Sequence, residues 1–303
     1  MENTFWLQMP DHVEVYVKKW FDHSKKPKAI VQLAHGMVEH IDRYNEFADF
    51  LVENDIFVYG NDHRGHGKTG EKQGLFGYLA DKEGFKKTTN DLLQITSEIK
   101  QEYPDTPLIL LGHSMGSFLA RNYIQENSSL INGVILSGTG YYPRVTSQAA
   151  MQIASTLPAK EKSNMMNTLA FFSYNKRIKQ KRTNIDWLTR DEEIVQAFID
   201  DPYCGFIPTA GFFYDLMDGI TTIHIQELNR YIRSDLPMLL LSGIEDPVGD
   251  YAKGVWKTAN LYNETGLENV ITMLYEDGRH ELLNEINRDE VYQAVYRWIM
   301  QQI

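Results

Sequence analysis

The chain contains a single cysteine, Cys204, so it can form neither an internal disulfide nor a cysteine-based metal cluster. That excludes the disulfide framework of a small secreted domain and makes the reducing cytoplasm the expected compartment. No run of about eighteen apolar residues occurs, so no transmembrane helix is expected. The first ten residues lack a basic segment followed by an apolar core, so no signal peptide is expected. Positive charge is in deficit: 30 Lys and Arg stand against 41 Asp and Glu, a formal net charge of −11. This balance argues against nucleic acid as a partner and against broad electrostatic adhesion to anionic lipid. It leaves open contact with a membrane through an apolar patch. There is no internal repeat and no low-complexity tract. What is present is enough apolar material, 43% of 303 residues, for the core of one large domain or two modest ones.

The most informative stretch is Leu108-Ile109-Leu110-Leu111-Gly112-His113-Ser114-Met115-Gly116. A short apolar run stops at a glycine, a serine follows, and a second glycine comes two positions later. The pattern is G-x-S-x-G between a buried-type strand and a helix. A serine on so sharp a turn has its hydroxyl clear of the main chain, and the helix behind it points free N–H groups at any developing oxyanion. A glycine-flanked turn whose serine merely caps a helix has the same letters.

The rest of the chain gives that turn a setting. Apolar alternation predicts strands over 12–20, 29–34, 56–59 and 131–137, and helices over 43–53 and 84–102. Residues 60–77 read as a long loop rich in glycine and charge. Strands alternating with helices imply an α/β fold, a mainly parallel sheet covered on both faces. The rhythm breaks over 141–234, too long for a simple connection. That span reads as helical in pieces, over 149–157, 192–198 and 212–225, and is rich in methionine and phenylalanine. It is expected to be a helical cap (lid) inserted in the core. Strands then resume at 238–242 and 270–275, with helices at 252–262 and 289–303. The domain expectation is therefore 1–140 and 235–303 as core, and 141–234 as cap.

A nucleophilic serine requires a base, a group to orient that base, and an oxyanion site. In the α/β-hydrolase arrangement the order is serine, acid, histidine, on loops after successive strands. Strand 238–242 runs into Glu245-Asp246-Pro247, and strand 270–275 runs into Asp277-Gly278-Arg279-His280. His280 is the expected general base and Asp246 the expected acid, ahead of Glu245 or Asp250. Asp277 is too near His280 in sequence to orient it. The oxyanion donors are expected to be the backbone N–H groups of Met37, after the strand ending at Ala34, and of Met115. In Asp62-His63-Arg64-Gly65-His66-Gly67 a metal site lacks third and fourth partners. A structural loop is the better reading there, with Asp62 and Arg64 paired to each other or to backbone. The cap methionines and aromatics suit plain core one by one, and an apolar acyl tunnel as a group.

Together these residues resemble the monoglyceride lipase and lysophospholipase group of α/β-hydrolases, which is grouped with serine aminopeptidases of the S33 type. His35-Gly36-Met37-Val38-Glu39-His40 with Arg43-Tyr44, the Asp62 to Gly67 loop, the Ser114 elbow, Gly243 to Pro247 and Gly278 to Glu281 are similar to its motifs. The resemblance implies an α/β-hydrolase fold with the triad Ser114, Asp246 and His280, the oxyanion donors Met37 and Met115, and no cofactor or metal. It implies hydrolysis of single-chain lipid esters, of the monoacylglycerol or lysophospholipid type. Two departures stand out. Ser117 follows Gly116 where another glycine is common, and the cap stretch Asn184 to Asp191 instead resembles bacterial members called lysophospholipases. Aminopeptidase or amidase action remains an alternative, with Asp186, Asp191 and Asp200 as conceivable holders of a free amino group. A broad short-chain carboxylesterase and a non-catalytic binding protein are further alternatives. The expected partner is a small-molecule lipid ester, with transient membrane or micelle contact through the cap and peripheral placement at a membrane. Oligomeric state is not set by the sequence.

Overall fold

The computed structural model describes residues 1–303. Eight strands form one sheet: β1 (Glu2–Gln8), β2 (Glu14–Trp20), β3 (Ala29–Ala34), β4 (Ile56–Asn61), β5 (Leu108–His113), β6 (Gly133–Ser137), β7 (Met238–Gly243) and β8 (Val270–Tyr275). Their spatial order is β1-β2-β4-β3-β5-β6-β7-β8. The pairs β1–β2 and β2–β4 are antiparallel, and the pairs from β4 through β3 to β8 are parallel. The helices are α1 (Asn45–Glu53), α2 (Gly67–Gln73), α3 (Gly84–Glu102), α4 (Met115–Asn127), α5 (Arg144–Ser155), α6 (Asn164–Phe171), α7 (Glu192–Asp200), α8 (Ala210–Ile223), α9 (Gln226–Asn229), α10 (Lys253–Glu264) and α11 (Arg288–Met300).

The central strands read as continuous apolar runs because both their faces are buried. Successive side chains point to opposite faces. Ile30, Leu108, Leu110, Val134, Leu136 and Leu240 enter one core, with residues of α3, α4 and α10. Val31, Leu33, Ile109, Leu111, Ile135 and Leu241 enter the other, with residues of α1 and α11. This is the mainly parallel sheet, covered on both faces, expected from the alternation of elements, and it fits the α/β-hydrolase fold that the resemblance implies.

Two readings need correction. Residues 60–77 are not one long loop, because α2 lies within them. The second concerns the Asp62 and Arg64 pairing. Asp62 does cap backbone, accepting from the N–H of Ile41 and Lys68 at 2.9 and 2.7 Å. Arg64 instead bonds Asp11 and Asp91, through two contacts to each. Strand β1 was not anticipated. Between β6 and β7 there are only helices, α5 to α9, and one isolated bridge, Lys162 to Thr209. No helix is long and apolar enough to cross a membrane.

Candidate active site

All five sequence-predicted site residues lie just beyond the carboxyl ends of parallel strands, where open α/β sheets bind ligands. Ser114 follows β5 with φ +51° and ψ −117°, a conformation that strains any residue bearing a Cβ. Close packing enforces it. A Cβ on Gly116 would stand 2.0 Å from the Ala34 carbonyl oxygen, so α4 can start this near β3 only with glycine there. Ser114 N–H is tied across the sheet to Ser137 O at 2.9 Å.

Asp246 follows β7 and is fully buried. One of its oxygens accepts from Val248 N–H at 2.8 Å. Both stand 3.0 Å from His280 Nδ1. His280 follows β8 and is also buried. Burial disfavours its imidazolium, but the charge and hydrogen bond of Asp246 outweigh that and raise its pKa above the usual 6.5. The Asp246 contact leaves Nε2 as the free ring nitrogen. Gly138, at the end of β6, has φ +59°, and a Cβ there would lie 2.8 Å from His280 Cε1. The imidazole thus rests directly on backbone. Its other neighbours are His113, with ring centroids 4.7 Å apart, and Trp187 at 5.0 Å.

Met37, after β3, and Met115, at the first position of α4, line the same cavity as Ser114 and His280. Neither backbone N–H has an intramolecular acceptor. The turn holding Met37 is fixed by Glu39, whose Oε1 accepts from Gly36 N–H at 2.5 Å and from Tyr44 hydroxyl at 2.8 Å.

The cavity has a volume of about 450 Å³ and is mostly apolar. The catalytic turns form one wall. Phe118, Met166, Phe171, Phe213, Leu216 and Ile220 contribute to the rest. Part of the helical span between β6 and β7 is fastened to the base loop. His280 N–H and Glu281 N–H donate to Trp187 O and Leu188 O at 3.3 and 2.7 Å. Arg279 Nη1 donates to the carbonyls of Asp186 and Thr189 at 2.6 and 2.9 Å.

The acidic residues considered for holding an amino group do not line this cavity. Asp186 accepts from Arg182 and Thr183. Asp191 caps α7 and pairs with Arg288. Asp200 accepts from Gln196. The carboxylates that do line it, Glu39 and Glu281, both bind Arg43. His63 and His66 pack tilted against His35, ring centroids 4.1 and 5.4 Å from it, and burial lowers the pKa of all three. Sequence reasoning missed Gly138 as the seat of His280. It noted Arg43 and Glu281 only within the resemblance, without a role.

Comparison with known proteins places the fold and the class of reaction. A family model described as serine aminopeptidase, S33, matches residues 25–287. Monoglyceride lipase of Rattus norvegicus is 27% identical over 289 residues, covering 94% of this chain and 86% of its own. Monoacylglycerol lipase of Mycolicibacterium smegmatis is 28% identical over 279 residues, covering 91% and 90%. The crystal structure of a thermostable carboxyl esterase from Bacillus coagulans superposes with a TM-score of 0.92 at 29% identity, over 99% of this chain and 98% of that one. The chain is a hydrolase of the α/β-hydrolase fold and belongs to the serine aminopeptidase, S33 family.

Proposed function

We propose that the chain hydrolyses carboxylic esters of single-chain lipids, of the monoacylglycerol or lysophospholipid type, through an acyl-enzyme on Ser114. His280 accepts the Ser114 proton through Nε2 as the hydroxyl attacks the ester carbonyl. Asp246 accepts from Nδ1–H, fixing the tautomer and stabilising the imidazolium. The N–H groups of Met37 and Met115 receive the oxyanion. His280 then protonates the leaving alcohol, and a water activated by the same histidine releases the fatty acid. No step requires a cofactor. Residues 141–234 serve as the cap that selects the substrate.

The observation that carries this reading is the apolar cavity opening from Ser114 and His280 into the helical span. It suits an acyl chain, and it holds no carboxylate free to bind an ammonium group. The names of the relatives, lipases and a carboxyl esterase, point the same way. The test is a comparison of 1-acylglycerols, lysophospholipids, short p-nitrophenyl esters and an aminoacyl anilide. Activity that rises with acyl length on the lipid esters supports the reading. Activity confined to the anilide overturns it in favour of an aminopeptidase.

A further inference from the structure

The seven residues from Lys176 to Arg182 include five cations, Lys176, Arg177, Lys179, Lys181 and Arg182, and no acid, in a chain of formal charge −11. All five are exposed. They form a loop closed at its neck. Asn175 Nδ2 donates to Thr183 O at 2.8 Å, and Asp186 accepts from the N–H groups of Arg182 and Thr183 at 2.7 and 3.2 Å. Of the five, only Arg182 has a carboxylate partner, Glu192. Arg177 lies over the Tyr251 ring and Lys176 over Phe172.

Apolar surface adjoins this loop. Met165, Leu169 and Phe172, spaced by four and three, fall on one side of α6 and its last turn and are 47%, 53% and 66% exposed. Helix α5 adds exposed Val145 and Ile153. The same elements wall the cavity: Ile153, Leu169, and Tyr174, Asn184 and Trp187 at the loop neck all line it. Unpaired cations beside exposed apolar side chains suit an anionic lipid surface, which offers charge and hydrocarbon together. A nucleic acid offers no hydrocarbon, and the remaining charge of the chain repels it.

We infer that the loop Lys176 to Arg182 and the exposed sides of α5 and α6 dock on an anionic bilayer, setting the cavity against the surface that holds its substrate. The purpose of this docking rests on the lipid-ester reading, but its test does not. The whole-chain expectation of weak attraction to anionic lipid is reversed locally, because this loop carries five exposed cations and no acid of its own.

The test is co-sedimentation of the full chain with vesicles of phosphatidylcholine alone or with added phosphatidylglycerol. The expected result is preference for the phosphatidylglycerol vesicles. The triple change Lys176→Glu, Lys179→Glu and Lys181→Glu should lower that affinity at least about tenfold. Raising salt to about 1 M should do the same, because screening then acts within about 3 Å. Phe172→Ser should weaken binding without removing the preference. Hydrolysis of a short soluble p-nitrophenyl ester, without lipid, should be unchanged in both variants. Equal binding to both vesicle types, an unaffected triple variant, or capture by duplex DNA instead of vesicles overturns the inference. If vesicle binding fails while soluble-ester hydrolysis persists, the docking fails alone. If hydrolysis is absent while vesicle binding holds, the catalytic reading fails alone.

Discussion

Arg43 donates to both carboxylate oxygens of Glu281, at 2.7 and 2.6 Å, across 238 positions of sequence. The same guanidinium reaches Glu39 at 2.5 Å. Glu281 is next to His280, and Glu39 holds the turn of Met37, so one buried cation joins the base loop to the turn of the expected oxyanion donor. Phe198 of α7 covers it, with the guanidinium 4.8 Å from the ring centroid. Burial opposes the Glu281 charge, but Arg43 outweighs it and holds the carboxyl down at about 2.

Removing Arg43 leaves two buried carboxylates without their cation. Arg43→Met is expected to cost about 3–5 kcal/mol of stability, as for other buried pairs broken on one side. Arg43→Lys keeps the charge but loses the two-pronged contact, so it should cost less and still lower kcat. Denaturant unfolding and steady-state kinetics on a soluble ester measure both. A cost under about 1 kcal/mol for Arg43→Met contradicts the role given to this cluster.

The pH dependence of activity follows from His280. Its neutral form is the base, and Asp246 raises its pKa in the fold. Activity should therefore climb with pH through a midpoint above 6.5. Asp246→Asn removes the charge that raises it and leaves burial, which lowers it. The midpoint of residual activity should move to lower pH, and kcat should fall by about 10⁴. The stabilising contribution of the pair has the opposite slope. It is complete below 6.5 and is lost as pH rises through the folded pKa of His280.

Acid should destabilise the fold. Burial lowers His63 to about 3, His66 to about 4, His113 to about 4 and His224 to about 3, with His35 well below its usual value. Below pH 6.5 the unfolded chain binds protons at these positions that the folded chain refuses, so stability falls with pH. Burial raises Asp62 and Asp91 to about 6 and Asp215 to about 7, which offsets part of the loss. The five histidines outweigh the three carboxylates. A thermal midpoint lower at pH 5 than at pH 7.5 is expected, and an unchanged or higher one contradicts this balance.

Gly138→Ala isolates the seat of the base. The new Cβ would stand 2.8 Å from His280 Cε1, at a φ of +59°. The strain should cost about 1 kcal/mol of stability. Displacing the imidazole by about 1 Å should lower kcat on the order of a hundredfold. Near-normal kcat in a folded variant contradicts the placement of the ring against this backbone.

Legibility in the sequence followed the range of the interactions. Strands β3, β5 and β7 were readable because both faces are buried and their residues are mostly apolar. The elbow was readable because its tight turn needs glycines within a few positions of Ser114. The chain order of Asp246 and His280 was enough to nominate them, and the structure joins them at 3.0 Å. Strand β1 escaped because it is an edge strand, mostly exposed, with few apolar residues. Helix α2 escaped because Gly-Lys-Thr-Gly-Glu-Lys-Gln has no apolar face, and Asp62 anchors its start from outside the segment. Helix α6 faces a cavity on one side and exposes apolar residues on the other, so its sequence lacks the contrast that marks a helix. The Arg43–Glu281 contact and the seat of His280 on Gly138 join distant segments, and nothing local encodes them.

The most direct test of the account is labelling with a fluorophosphonate probe, read by mass spectrometry at Ser114. The parent chain should be modified at Ser114 and lose esterase activity in step, while Ser114→Ala should take up no label and hydrolyse no ester. Labelling of Ser114→Ala as strong as the parent's, or full activity after Ser114 is modified, would contradict the assignment of this serine as the nucleophile.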